Sequence, residues 1–434
     1  MNEKLKLYRG ELFYFTDSPN ENNKAYVYEP DGALVVCDGK IVEATSYVVA
    51  IRRYPAVECV DYSGKLIMPG LIDAHVHYPQ SVMLGMYGNQ LLEWLEEYTF
   101  PAEQAFGSFD YAMQIASWFV KELIRNGTTT CLAYSTVHAT SVEVLFMVAS
   151  LYNMRLLTGK VLMDRNAPGG LKDTIEQGER ESRELIERWH GNGRNLYVVT
   201  PRFAITSSKE QLDSAGRLHH DYPDTYIQTH LSENKNEIDS VLSLFPGTKD
   251  YLEVYERSGL LTDRSFFGHC VHLSESEYKR IAEAGAVMVH CPTSNLFLGS
   301  GLFDMPCAFS HHAKVVLGTD VGAGTSFSLF RTMGEAYKVQ QLNGYPLPAL
   351  QTFYQLTLGA AKALHLEDKI GSFDVGHEAD FIVVDYASTS AQQLRIAHLE
   401  RQGKLTLENK LFGLQMLGDD RAVKATYLMG KQVY

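Results

Sequence analysis

Short, nearly continuous apolar runs recur through the middle of the chain, and their polar side chains lie mainly toward their C-terminal ends. Eight such stretches are 71–77, 128–134, 155–162, 196–201, 225–230, 265–270, 286–291 and 315–320. Apolar character without alternation is what parallel strands covered on both faces require. Between the runs the period lengthens to that of a helix. After Ser108, the residues Tyr111, Ile115, Phe119 and Leu123 fall four apart on one face, and Asn126-Gly127 supplies a C-terminal stop. Eight strands, each followed by a helix, predict a (β/α)8 barrel, a TIM-type fold of the α/β class.

The two ends read differently. Strands are expected at 11–16, 26–28 and 33–37, with Asp38-Gly39 as a turn, and again at 380–385 and 425–429, with Gly430-Lys431 as a turn. The last stretch of about sixty residues is expected to be strand-rich like the first. Together the ends predict a small β-sandwich domain built from residues 1–67 and 372–434, flanking a catalytic barrel over 68–371.

Composition narrows the classes of function. The chain has 434 residues, 45% hydrophobic and 21% charged, with a net charge of −13. That excess of acid argues against a nucleic-acid partner, whose phosphates need basic stripes. No apolar run approaches the ~20 residues that span a bilayer, and the N-terminus lacks the pattern of a secretory signal. A cytoplasmic protein with no membrane partner is expected. The six cysteines form no CxxC pair and are expected to be reduced, mostly buried thiols.

Candidate chemistry collects at the C-terminal ends of the predicted strands, the face on which barrels build their active sites. His75 and His77 end the first strand, His230 the fifth, His269 the sixth and Asp320 the eighth. Alternation along a strand turns His75 and His77 to the same side. Three imidazoles and a carboxylate suit a borderline divalent ion such as zinc, with iron as the alternative. Each residue alone has an ordinary explanation, as a core histidine or a helix cap. Their joint placement on separate strand ends is what makes the metal reading preferable.

The segment PGLIDAHVH (69–77) resembles the signature of the amidohydrolase superfamily, and the chain as a whole is similar to its guanine deaminases. HVHYPQ (75–80), LLEWLEEYTFPAE (91–103), TPRFAITS (200–207), THLSEN (229–234), HCPTSNLFLGSG (290–301) and LGTDVGAGTSFS (317–328) carry the likeness. The resemblance implies one metal ion held by His75, His77, His230 and Asp320, with His269 beside it. It implies Glu233 as the proton shuttle, and Gln80, Arg202 and Phe203, together with His230 and Glu233, as the purine-holding residues. It also implies a homodimer. Two-metal relatives carry a bridging lysine at the end of the fourth strand, whereas here that strand ends Thr200-Pro201-Arg202. Lys160, at the end of the third, reads at least as well as a structural lysine.

The implied reaction is hydrolysis of guanine to xanthine and ammonia. Glu233, His269 and Asp320 would act catalytically, and Arg202 would meet the purine carbonyl with paired donors. Replacing Arg202 by Met is expected to harm guanine turnover while leaving thermal stability nearly unchanged. Another deaminase or chlorohydrolase acting on a different amino-heterocycle is the nearest alternative. A non-catalytic assembly protein on the same fold is the remote one.

Overall fold

The structure, a computed structural model, describes residues 5–19, 24–88 and 90–434. Two sheets organise it. The first takes β1 (Lys6–Phe15), β2 (Tyr26–Cys37), β3 (Lys40–Ser46) and β4 (Glu58–Pro69) from the N-terminal part. The barrel strands follow: β5 (Leu71–His77), β6 (Thr128–Tyr134), β7 (Arg155–Gly159), β8 (Val161–Leu162), β9 (Asn195–Pro201), β10 (Tyr226–Leu231), β11 (Ser265–His269), β12 (Val287–His290) and β13 (Lys314–Leu317). β14 (Phe381–Val384), β15 (Val423–Leu428) and β16 (Lys431–Gln432) then return to the first sheet.

That sheet runs β16-β15-β14-β4-β1-β2-β3, so β4 joins the two ends of the chain, parallel to β1 and antiparallel to β14. The barrel strands are parallel in the order β5-β6-β7-β9-β10-β11-β12-β13, with β8 continuing β7 beyond Lys160 against β9. Backbone bonds from Asp320 N to His75 O and from His77 N to Val321 O, each 2.8 Å, close the ring beyond the end of β13.

Every barrel strand except the two-residue β8 contributes to the interior floor. Ile72, Leu132, Leu157, Val198, Tyr226, Phe266, Val287 and Val316 form one buried cluster, capped by Ala360, Ala361 and Leu364. A larger cluster fills the layer between strands and helices, including Phe119 and Leu123 of the helix Phe109–Arg125. Ser108 caps that helix by accepting from Tyr111 N.

Three local expectations need correction. The strand expected over 155–162 is interrupted at Lys160. The eighth strand stops at Leu317, so Asp320 lies on the loop beyond it, at φ 50°. The C-terminal part is not strand throughout: helices span Ser390–Arg401 and Leu407–Leu417. The second buries Leu411 and Leu414 in the cluster that holds Phe330 and Met333 of the barrel helix Leu329–Leu342. Packing against the barrel thus decides the form of a segment whose own helical amphipathicity is weak. None of the helices formed by the described residues is long and apolar enough to cross a membrane.

Candidate metal centre and substrate pocket

The pairing of β5 with β6 shifts register between Asp73 and Val76. Ile72 and Ala74 face the barrel floor and Val76 packs into the outer layer, while His75 and His77, within and after the shift, turn their rings to one another in the site. Irregularities of this kind re-aim side chains beside functional sites. Two glycines make room. A Cβ on Gly268 would lie 2.6 Å from the His75 ring, and one on Gly318 2.6 Å from the His75 Cβ.

Four side chains then converge. His77 Nε2 lies 3.2 Å from His75 Nε2 and 3.3 Å from His230 Nε2. Asp320 Oδ1 lies 3.3 Å from His75 Nε2 and 3.2 Å from His77 Nε2. His230 donates from Nδ1 to the Arg202 carbonyl at 2.7 Å, which leaves its Nε2 as a lone pair facing the cluster. Burial holds His77 down at about 3, though Asp320 opposes this, and burial with the neighbouring imidazoles holds His230 well below its ordinary value. Burial alone would raise Asp320, but the surrounding imidazoles outweigh it and keep the carboxylate ionised. Neutral imidazoles and a carboxylate aimed at one point are the donor set a divalent cation takes.

Metal-capable groups among the described residues are His75–His230–His269 and His75–Cys291–Asp320. Burial pushes the Cys291 thiol well above its ordinary value, so it keeps its proton and is the weaker donor. Behind the cluster Asp73 accepts from His75 N at 3.2 Å, from Thr319 N at 3.0 Å and from Thr319 Oγ1 at 2.5 Å.

Glu233 stands opposite. Burial, then the charge of Asp320, pushes its carboxyl up to about 8, so it holds a proton at neutral pH. Its Oε1 accepts from Ser300 Oγ at 3.0 Å, and Oε2 lies 3.4 Å from His269 Nε2. His269 Nδ1 meets Asn295 Oδ1 at 2.9 Å. Glu237, three residues into the helix that starts after Asn234, accepts from Glu233 N at 2.8 Å and fixes the loop. Ser232, His269 and Asp320 all adopt positive φ, the kind of local strain that surrounding structure must hold in place.

One pocket is lined by His77, Gln80, Arg202, Phe203, His230, Glu233, His269 and Asp320, with Leu91, Trp94, Leu95, Leu298 and Ala323 as apolar wall. His75 sits behind it, fully buried. Gln80 accepts from Gly322 N at 3.3 Å. Arg202 is not alone: both oxygens of the buried Glu103 meet its Nη1, at 2.7 and 2.8 Å. Lys160 is structural, buried against Asp173 at 2.6 Å and Glu181 at 3.1 Å. Sequence reasoning missed Glu103, Ser300, Asn295 and Glu237. Glu103, Asn295 and Ser300 do lie within segments that carried the family likeness, but nothing in their spacing marked them.

Histidines at the ends of separate barrel strands, sharing one point with a carboxylate and a protonated glutamic acid, define the class of metal-dependent barrel hydrolases. The model of the amidohydrolase family matches residues 66–433, and the chain belongs to that family. It is 49% identical over 434 residues to the guanine deaminase of Escherichia coli (strain K12), covering 99% of this chain and 98% of that protein. The solved structure of E. coli guanine deaminase superposes with a TM-score of 0.95 at 48% identity, covering 99% of each chain. That of C. acetobutylicum guanine deaminase, with bound guanine in its active site, gives 0.87 at 30% identity, covering 99% of this chain and 100% of that one. Within the family the chain groups with the guanine deaminases.

Proposed function

We propose that this chain hydrolyses guanine to xanthine and ammonia, using one divalent ion, zinc in our assignment, held by His75, His77, His230 and Asp320. When bound, such an ion acidifies water and supplies a nucleophile near neutral pH. Arg202 donates to the purine carbonyl, Gln80 meets the ring edge with one donor and one acceptor, and Phe203 and His230 line the pocket around the base. Glu233 hands its proton to a ring nitrogen, which makes the carbon bearing the amino group more electrophilic. Asp320 takes a proton from the attacking water, and His269 orients it. A C–O bond forms at that carbon, the C–N bond breaks, and the proton returned to the amine leaves with ammonia.

The observation that carries this reading is Glu233. A carboxyl pushed up to about 8 lines the same pocket as Arg202, Gln80 and the imidazole cluster. The identity to E. coli guanine deaminase supports the choice of purine. We extend the reading to a cytoplasmic homodimer with no nucleic-acid or membrane partner; sedimentation of the purified protein tests the dimer. Ammonia release from guanine, adenine, cytosine and pterins, with and without chelator, tests the reaction. Turnover should be greatest on guanine and should be lost on chelation. Preference for another heterocycle would overturn the substrate, and full activity in a metal-free preparation would overturn the chemistry.

A further inference from the structure

We infer that Glu103 sets the charge of the purine site and thereby its preference for a neutral base over an anionic one, an inference that rests on Arg202 facing the purine. Glu103 is fully buried and Arg202 nearly so. Both carboxylate oxygens meet Nη1 alone, so Nε and Nη2, with three N–H donors between them, have no protein partner among the described residues. Arg202 lines the pocket, and these are the donors it can offer there. Phe100, on the same short helix (Phe100–Gln104), stands 5.7 Å from the guanidinium. The segment just before it supplies Leu91, Trp94 and Leu95 to the pocket wall. One stretch of chain therefore delivers both the apolar enclosure and the counter-charge.

The pairing has a chemical consequence. A guanidinium alone in a water-poor pocket attracts anions strongly, because a unit charge there is little screened. Glu103 cancels that charge while leaving the donors in place. What remains recognises a lactam carbonyl by hydrogen bonds and gives no extra hold to a negative ligand. Guanine is neutral near neutral pH. Exchanging its amino group for a second carbonyl creates an imide-like N–H that ionises more readily, so the product turns anionic as the pH rises. Glu103 keeps the site from holding that anion, which favours product release.

The test uses the metal-loaded full chain and follows the ratio of the xanthine inhibition constant to the guanine KM from mildly acidic to mildly alkaline pH. In the unaltered protein the ratio should rise as xanthine ionises; a ratio that falls overturns the inference without any variant. Glu103→Gln keeps the size and one acceptor but removes the charge. It should lower the ratio by roughly tenfold or more on the alkaline side, the size of about 1.4 kcal/mol. Glu103→Asp, which keeps the charge, should restore the pH trend of the unaltered protein. If in Glu103→Gln both constants rise together at every pH, Glu103 only holds Arg202 in place and the inference fails. An unaltered protein with no guanine turnover would instead sink the functional reading itself.

Discussion

Ser300 donates its hydroxyl to Oε1 of Glu233 at 3.0 Å, and so leaves Oε2 as the oxygen that faces His269. The bond fixes which oxygen works without touching the imidazole cluster. Ser300→Ala should lower kcat by about 5- to 10-fold, the worth of one hydrogen bond of about 1 kcal/mol, while KM and metal content stay near those of the starting protein. Glu233→Gln marks the far end of the scale, with a loss of about 100-fold or more and the metal retained. Metal loss in either variant would mean that Glu233 helps to hold the ion.

Gly268 leaves room for the His75 ring. An added Cβ would meet Cε1 at 2.6 Å and Nδ1 at 2.9 Å. Gly268→Ala should therefore displace His75 and reduce bound metal and activity together. Metal analysis alongside the ammonia assay checks this; a variant that keeps a full complement of metal would show that the ring can shift without losing its role.

The expectation that Arg202→Met would spare stability does not survive the structure, because it would strand Glu103 as a buried charge. Removing one partner of a buried pair costs about 3–5 kcal/mol, so the single variant should melt well below the starting protein. Arg202→Met with Glu103→Gln should recover much of that loss. The double variant is then the cleaner probe of recognition: turnover of guanine should fall much further than turnover of 2-aminopurine, which lacks the carbonyl. Equal losses would detach Arg202 from the purine.

Glu378 joins the C-terminal segment to the barrel through Arg155 at 2.6 Å and Arg194 at 2.7 Å. Burial alone would raise its pKa, but the two guanidinium groups outweigh burial and hold it below the ordinary 4.5. A carboxyl depressed in the folded state contributes stability above its unfolded value and loses it as pH falls through the folded one. Glu378→Gln should lower Tm at neutral pH, and the gap from the starting protein should narrow as the pH drops below 4.5. A gap that stays constant on acidification would assign the loss to packing rather than charge.

Much of this protein is determined by local pattern. Apolar runs suited to burial on both faces, eight of them alternating with helical periods, fit the strands of a barrel, and polar residues at the C-terminal ends of parallel strands gather on one rim. That is why the eight strands, and His75, His77, His230 and His269 at strand ends, are legible in the chain itself. The likeness of contiguous segments to the guanine deaminases is legible for the same reason, since each motif lies within a single stretch. Tertiary structure decided the rest. Glu103 meets Arg202 across 99 residues and Ser300 meets Glu233 across 67, and no periodicity encodes a partner at such separations. The helix Leu407–Leu417 went unread because the barrel, rather than its own sequence period, gives it a face to bury, and the helix Ser390–Arg401 packs in turn against it, with Gln392 donating to the Leu417 carbonyl. Asp320 reaches the cluster from a loop beyond its strand, at a positive φ, with its backbone bonded across the closing ring to His75 and locally to Gly324.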